Sequence, residues 1–453
     1  MSDLNCLFTK NKQLYKELCN PIKECISIDI HPSKKGPLTM KINGRYLYSY
    51  YDPIKDSKRF VDSQINEDTD VYCLFGFGLG YHVKHLLCNE PNKRIIVIEP
   101  YLSVIKKAAE NVDLSPILSH QNVDILCLTE EKLPTKILNM LSNQRTQWII
   151  PNAWLKALPQ EHYLKTFLED IKIRDMSINR FWPIMERNFK ENLNHIDANI
   201  GQLFGKFNGQ KAILVSAGPS LDDTVHFLKK LKGKYFILSV GSALKVLKKS
   251  GVIPDAVIIT DPQEFVHQQL KDIEFSGPLI YLATACNSAV ANHKGLKIIV
   301  FQKDCPLVER YAIKKKVPLV DTGGSVATTA LDIIINMGFS EIVLVGQDLA
   351  YSKEHSHALQ STSRVEVVSN ESLVPVLAND GTMVKSTTIL SLYRRWFERK
   401  ISQSKGIVFL NTAKKGAAIE GIPFIHISEI VSKSEKLREC NFNGKINSIL
   451  TNN

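Results

Sequence analysis

The stretch Gly346-Gln347-Asp348-Leu349-Ala350-Tyr351-Ser352-Lys353-Glu354-His355-Ser356-His357-Ala358 crowds titratable groups just after an apolar run, Ile342 to Val345. Histidine titrates near neutrality, so His357 or His355 could take the proton of an attacking hydroxyl or contact a phosphate, with Asp348 beside them. As a His-Ser-His pair the two could also ligate a metal, although no third ligand is evident. Surface-loop histidines without a chemical role are the remaining reading.

Two small-residue turns could face that segment. In Ser216-Ala217-Gly218-Pro219-Ser220-Leu221-Asp222-Asp223, backbone N–H groups at a helix start and the hydroxyls of Ser216 and Ser220 can converge on a phosphate. The loop lacks the Gly-Lys-Ser/Thr of a Walker motif, and Asp222 and Asp223 argue against a polyphosphate lying over it; its plain alternative is a helix capped by Ser220. Thr322-Gly323-Gly324-Ser325-Val326 opens a second helix, Ala327 to Asn336, ended by Gly338. Thr260-Asp261-Pro262 could hold ribose hydroxyls through its carboxylate, or simply cap the next segment.

A parallel sheet must position these residues. From Lys211 to about Phe409, β-rich runs alternate with helical stretches: Ala212 to Val215, Tyr235 to Leu238, Ala256 to Ile259, Leu279 to Leu282, Lys297 to Phe301 and Ile342 to Val345. Ser216, Ser239, Thr260 with Asp261, Thr284, Gln302, and Gln347 with Asp348 fall at or just beyond the carboxyl ends of these runs, where open α/β sheets bind ligands. Before them, Phe181 to Phe207 has helical spacing and reads as a long connecting helix.

Nearer the N-terminus, Val71 to Phe75, the loop Gly76-Phe77-Gly78-Leu79-Gly80, a helical stretch near Tyr81 to Leu87, and Arg94 to Ile98 followed by Glu99 have the order of a Rossmann-like nucleotide or S-adenosylmethionine site. Glu99 could hold a ribose. No separate catalytic constellation follows, so the preferred reading is a Rossmann-like scaffold with an empty or vestigial pocket. The fold class is therefore α/β, with a Rossmann-like N-terminal domain over residues 1–180, a central Rossmann-like parallel-sheet domain over 181–410 and a mainly helical, basic C-terminal region over 411–453. The tail from Asn443 is expected to fray.

A chain of 453 residues with 44% hydrophobic and 23% charged content is of globular type and large enough for two or three domains. No apolar stretch reaches the roughly 18 residues of a membrane span, and the N-terminus lacks a signal-like run, so a cytoplasmic location is expected. The nine cysteines are scattered without a Cys-x-x-Cys pair, consistent with reduced thiols. The net charge of +11 concentrates late: from Lys385 onward twelve Lys and Arg face five Glu. A solvated basic helical face is the commoner explanation of such an excess, and nucleic acid is not expected as a partner.

The ordered set SAGPSLDD, SVGSALKVL, PDAVIITDP, GGSVATTALDIIINMGF, EIVLVGQDLAY and NTAKKGAAIEGIPF, preceded by GFGLGYH and IIVIEP, resembles the motility-associated factor (Maf) flagellin glycosyltransferases across nearly all of the chain. Their central domain is similar to CMP-dependent bacterial sialyltransferases and to MptE-like 6-hydroxymethylpterin pyrophosphokinases. The resemblance implies transfer of a nonulosonic acid, of the pseudaminic, legionaminic or sialic-acid kind, from a CMP donor to Ser or Thr of flagellin, with no further cofactor, in support of motility. It also implies that Ser216, Gly218, Pro219, Ser220, Gly324 and Ser325 contact the nucleotide, with Asp348 at the donor edge. Ser239, Gly241, Thr260, Asp261, Thr322, Gly323, Gln347 and Tyr351 complete the expected substrate-binding set. The sialyltransferases place phosphate-holding tyrosines after the G-x-D strand end and a basic histidine on a later lid. Here Ala350-Tyr351 and Ser356-His357 occupy the first region, and no histidine occurs between Ala358 and Ile425. The base thus stays open among His357, His355 and another group. The alternatives are a pterin pyrophosphokinase using ATP and Mg²⁺, its metal held by Asp261 and Asp348, and a flagellin-binding scaffold without catalysis.

Overall fold

The structure, a computed structural model, describes residues 11–66, 69–127, 146–159, 162–271, 273–303, 305–351, 355, 357–359, 361 and 373–451. The chain divides into two compact units, Met1–Met176 and Ser177–Asn453.

In the first unit, β1 (Ile28–Pro32), β2 (Leu38–Ile42) and β3 (Arg45–Tyr46) form an antiparallel sheet. β4 (Val71–Phe75), β5 (Arg94–Ile98), β6 (Val123–Leu126) and β7 (Thr146–Ile149) form a parallel sheet in the order β6-β5-β4-β7. Every residue of β4 is buried and only Arg94 of β5 is partly exposed, as expected of parallel strands covered on both faces. The helix after the glycine loop runs Tyr81–Asn89.

The second unit is built on a nine-stranded sheet. β8 (Ala198–Asn199) pairs with the fifth of the longer strands, β9 (Lys211–Val215), β10 (Phe236–Val240), β11 (Ala256–Ile259), β12 (Leu279–Leu282), β13 (Lys297–Gln302), β14 (Leu319–Val320) and β15 (Glu341–Val345). After a small antiparallel pair, β16 (Val374–Leu377) with β17 (Met383–Ser386), β18 (Val408–Asn411) completes the sheet. Its order is β14-β13-β12-β11-β10-β9-β15-β18, and every pairing is parallel. β9 therefore lies inside: β10 to β14 extend to one side, and the chain returns to lay β15 and β18 on the other. The β9/β15 boundary is the switch point at which such sheets open a crevice.

The returning connection is the helix Val326–Met337, which packs on β9, β10 and β11. Nine of its residues are buried, and Gly338, at φ 94, ends it in the left-handed region that a Cβ disfavours.

Two expectations are corrected. The long helix covers Tyr163–Asn192, not Phe181 to Phe207. It stops where the Asn192 amide donates to the Ala283 and Ala285 carbonyls (3.0 and 2.8 Å), after which the chain turns into β8 and a short 3₁₀ segment, Ile200–Leu203. The stretch from Asn443 is not frayed: the helix Phe442–Thr451 buries Phe442 and Ile446 in the core of the large sheet. Ile427 and Ile430 of the helix Ile427–Ser434 enter the same core, so the basic C-terminal stretch packs on the central sheet. Among the described residues the cysteines are free, with Cys73, Cys127, Cys286 and Cys305 buried, and no helix is long and apolar enough to cross a membrane.

Candidate functional site

At the β9/β15 crevice the two expected loops lock together. Ser216 Oγ donates to Gln347 Oε1 (2.6 Å), and the Gly218 N–H donates to the Gly346 carbonyl (2.8 Å). Asp348 receives the Ser220 N–H (3.1 and 3.2 Å to its two oxygens) and the Ser220 hydroxyl (2.8 Å). A Cβ on Gly218 would collide with Asp348 Oδ2, so only glycine permits this approach. The helix that follows is the four-residue turn Leu221–Thr224, continued as 3₁₀, and Ser220 makes no side-chain cap to it. The expected phosphate cradle is therefore partly satisfied from within: its anion is the carboxylate of Asp348.

Asp348 is 6% exposed, and burial pushes its pKa up to about 6; the two Ser220 hydrogen bonds oppose the shift, and the charges of Asp223 and Asp222 add to it. A third segment closes over it. The Ala417 N–H donates to the Asp348 carbonyl (2.7 Å), and Gly416 packs on its Cα, which places the turn Ala413-Lys414-Lys415-Gly416 against the site with both lysines exposed. That turn follows β18, the strand beside β15.

The histidine segment folds back over the first loop. The Ala358 N–H donates to the Ala217 carbonyl (2.9 Å), and the Leu359 N–H to Asp222 Oδ2 (2.8 Å). Ser361 Oγ reaches the Ser242 carbonyl (3.3 Å), beside Ser239 and Gly241 at the end of β10. Burial lowers the pKa of half-buried His357, keeping its imidazole neutral and able to accept a proton. His355 is half-buried and its Nδ1 has no hydrogen-bond partner among the described residues. Tyr351 is held through its N–H on the Lys385 carbonyl (2.8 Å); Ser352, Lys353, Glu354 and Ser356 lie outside the described residues.

A second group gathers two strands from β9, roughly 10 Å along the sheet. Asp261, just past β11, takes hydrogen bonds from the Gln263 N–H and side-chain amide (2.9 and 3.3 Å), and burial raises its pKa. Its charge is felt by Tyr393, whose pKa is raised first by burial and then by Asp261. A Cβ on Gly324 would come 3.2 Å from the Tyr393 ring, and one on Gly323 would meet the Trp396 indole at 2.5 Å. Asp261, Tyr393 and the Gly323-Gly324 turn thus share one neighbourhood, with half-buried Thr260 preceding Asp261 and half-buried Thr322 preceding the turn. The expected helix start is also satisfied internally: Ser325 Oγ accepts from the Thr328 N–H (3.2 Å), and Thr328 Oγ1 accepts from Gly323 N–H (3.1 Å) and Ser325 N–H (3.2 Å). Farther along, Thr284 and Gln302 bind each other (2.7 Å) and tie neighbouring strands. Sequence reasoning missed Tyr393 and the Gly416-Ala417 clasp. The first sits on an unremarkable helix, Thr388–Gln403; the second lies in a recognised motif to which no role had been given.

The N-terminal glycine loop is built differently. A Cβ on Gly76 would enter the Trp154 indole, and one on Gly78 would meet the Tyr48 hydroxyl and Trp154 at 2.6 and 2.8 Å. Tyr48 also takes the Leu79 N–H (2.9 Å) and contacts His82 Nδ1 (3.1 Å), while His82 Nε2 binds the Gly76 carbonyl (2.8 Å). Glu99 accepts the Phe77 and Tyr101 N–H groups (2.7 and 3.1 Å), and at 1% exposed it presents no face to a ribose, which corrects its expected role. Burial pushes its pKa up to about 7 and that of His82 down to about 4. No three His, Cys, Asp or Glu side chains converge as metal ligands among the described residues.

Comparison with known proteins matches residues 9–149 to the glycosyltransferase Maf N-terminal domain and residues 187–354 to the 6-hydroxymethylpterin diphosphokinase MptE-like family. A solved Maf glycosyltransferase from Magnetospirillum magneticum AMB-1 superposes with a TM-score of 0.53 at 19% identity, covering 99% of this chain and 77% of that one. An uncharacterized protein of Treponema pallidum (strain Nichols) is 24% identical over 218 residues, 44% of this chain and 72% of that protein. A tRNA (guanine-N(7)-)-methyltransferase of Wolbachia pipientis wMel is 26% identical over 105 residues, 23% of this chain and 45% of that protein. The chain thus joins a Maf glycosyltransferase N-terminal domain to an MptE-like domain in one polypeptide, on a fold it shares over nearly its whole length with a Maf glycosyltransferase.

Proposed function

We propose that the protein is a Maf-type glycosyltransferase that moves a nonulosonic acid from a CMP donor to Ser or Thr hydroxyls of flagellin, with the transfer centred on the β9/β15 crevice. The observation that carries this reading is accessibility: of the two glycine loops, only the central one keeps a half-exposed tip, Gly218-Pro219-Ser220, and His357 is half-buried on the segment that folds over that loop. In the transfer the acceptor oxygen attacks the anomeric carbon, the bond to the CMP phosphate oxygen breaks with its electron pair leaving on CMP, and His357 takes the hydroxyl proton. Asp348 serves as a positioning residue, since its carboxylate already holds Ser220. A donor bearing phosphate and carboxylate meets Asp222, Asp223 and Asp348 here, and exposed Lys414 and Lys415 supply the opposing charge. Asp261, Tyr393 and the Gly323-Gly324 turn suit the nucleoside end.

The test is intact-mass analysis of flagellin co-expressed with the protein and a nonulosonate pathway. Wild type is expected to add the sugar, His357→Ala to lose about 10²- to 10⁴-fold in rate, and Gly218→Trp to lose transfer altogether. Unchanged glycosylation in both variants would sink the assignment. The match of residues 187–354 to the MptE-like family favours a second reading, diphosphate transfer from ATP to a hydroxymethylpterin. Mg²⁺-dependent AMP release with that acceptor, and none of the sugar transfer, would select it. Flagellin binding without either reaction would mark a scaffold.

A further inference from the structure

The first unit carries an exposed aromatic and basic patch that neither glycine loop uses. On the outer face of the β1-β2-β3 sheet, His31, Tyr46 and Tyr50 form a mutual cluster with ring centroids 5.6 to 6.2 Å apart. Tyr50 and Tyr51 are 46% and 57% exposed, unusual for rings of this size, and Ile54, three residues on, is 37% exposed. Lysines stand over these rings: Lys41 lies 4.4 Å from the Tyr46 centroid, and Lys34 and Lys35 each lie 5.7 Å from those of Tyr50 and Tyr51.

The patch is fixed, not incidental. The Lys34 and Lys35 N–H groups donate to the Tyr50 and Tyr51 carbonyls (3.0 and 3.1 Å), and His31 Nε2 contacts the Tyr46 hydroxyl (3.1 Å). Asp29 is paired across the sheet with Lys41 and lies 3.4 Å from His31. Asp52 and Asp56 are engaged by the Lys55 and Ser49 N–H groups. Lys34 and Lys35, both exposed, thus present charge beside the Tyr50 and Tyr51 rings.

We propose that this face docks an acidic polypeptide segment, whose carboxylates meet Lys34 and Lys35 while an apolar side chain packs on Tyr50 and Tyr51. Tyrosine gives large contact area at low entropic cost, and rigid aromatic anchors ringed by charge are how such interfaces are built. Tyr50 is tilted at 48° to His31 and 47° to Tyr46, an uneven surface that suits the side chains of a protein partner.

The test is fluorescence anisotropy of the full chain against a labelled sixteen-residue Glu/Leu peptide, with heparin and oligo-dT as rival polyanions. Wild type is expected to bind the peptide more tightly than either rival, and Tyr50→Ser with Tyr51→Ser to weaken it at least about tenfold. Lys34→Glu with Lys35→Glu should weaken it similarly and confer binding to a Lys/Leu peptide, a gain that misfolding would not produce. No binding by wild type, a preference for heparin or oligo-dT, or variants that bind as wild type does would overturn the proposal.

Discussion

The molecule carries two glycine loops at the ends of parallel strands, and each is tied by a buried carboxylate from the neighbouring strand: Glu99 beyond β5 holds Phe77, and Asp348 beyond β15 holds Ser220. What differs is the lid. Gly76 to Gly80 are wholly buried, with Trp154 and Tyr48 seated where a ligand would approach, whereas Gly218 to Ser220 stay partly open and are overlaid by a histidine-bearing segment. A glycine loop is thus only room beside a strand end. Whether that room serves chemistry depends on what the rest of the chain puts into it.

The largest effect should come from emptying the first loop. Trp154→Ala removes a buried indole packed on Gly76 and Gly78, and a cost of about 3–5 kcal/mol to the first unit is expected, read as faster hydrogen exchange over residues 71–87. The second unit should keep its exchange pattern and the CMP affinity measured for wild type. Calorimetric binding of S-adenosylmethionine or a nucleotide to the wild-type first loop would break the contrast, because a filled loop has no place for it.

Next in size is the carboxylate at the second loop. Asp348→Ala strips the acceptor from the Ser220 N–H and hydroxyl and should cost about 1–3 kcal/mol, with residues 216–221 exchanging faster. Asp348→Asn keeps one acceptor oxygen and should fall between. If Asp348 orders the loop for the donor, CMP affinity drops in the same order. Tighter CMP binding by Asp348→Ala would mean that the carboxylate competes with the phosphate, and the positioning role would fail.

Most of this frame was legible beforehand because parallel strands buried on both faces read as unbroken apolar runs: β11 and β12 match the sequence runs, β9, β13 and β15 differ from theirs by one residue at one end, and β10 starts one residue later and ends two later. β14, two residues long, and β18, a full domain-length away from β9, gave no such signal. The Ser216 to Ser220 loop and Asp348 were both singled out, yet their mutual bond was not, since sequence spacing cannot tell that a strand-end acid will reach across to the next loop. Trp154 was invisible for the same reason: its role is fixed by a helix, Asn152–Ala157, that returns to a loop about 75 residues earlier.

The smallest effect separates the two carboxylates by pH. Burial raises both acids, so each native state holds a proton that the unfolded chain has released, and stability falls as pH rises across the interval between the unfolded and folded values. For Glu99 that interval runs from the ordinary 4.5 to about 7; for Asp348 it runs from 3.8 to about 6. Hydrogen exchange of residues 71–87 should therefore lose protection up to a pH about one unit higher than exchange of residues 212–221 does. Glu99→Gln should flatten the first dependence alone and Asp348→Asn the second alone. CMP bound at the second loop adds a phosphate beside Asp348 and should move only its transition upward, leaving that of Glu99 in place. A shift of both by CMP, or of neither, would remove the distinction between a loop closed on itself and a loop open to a substrate.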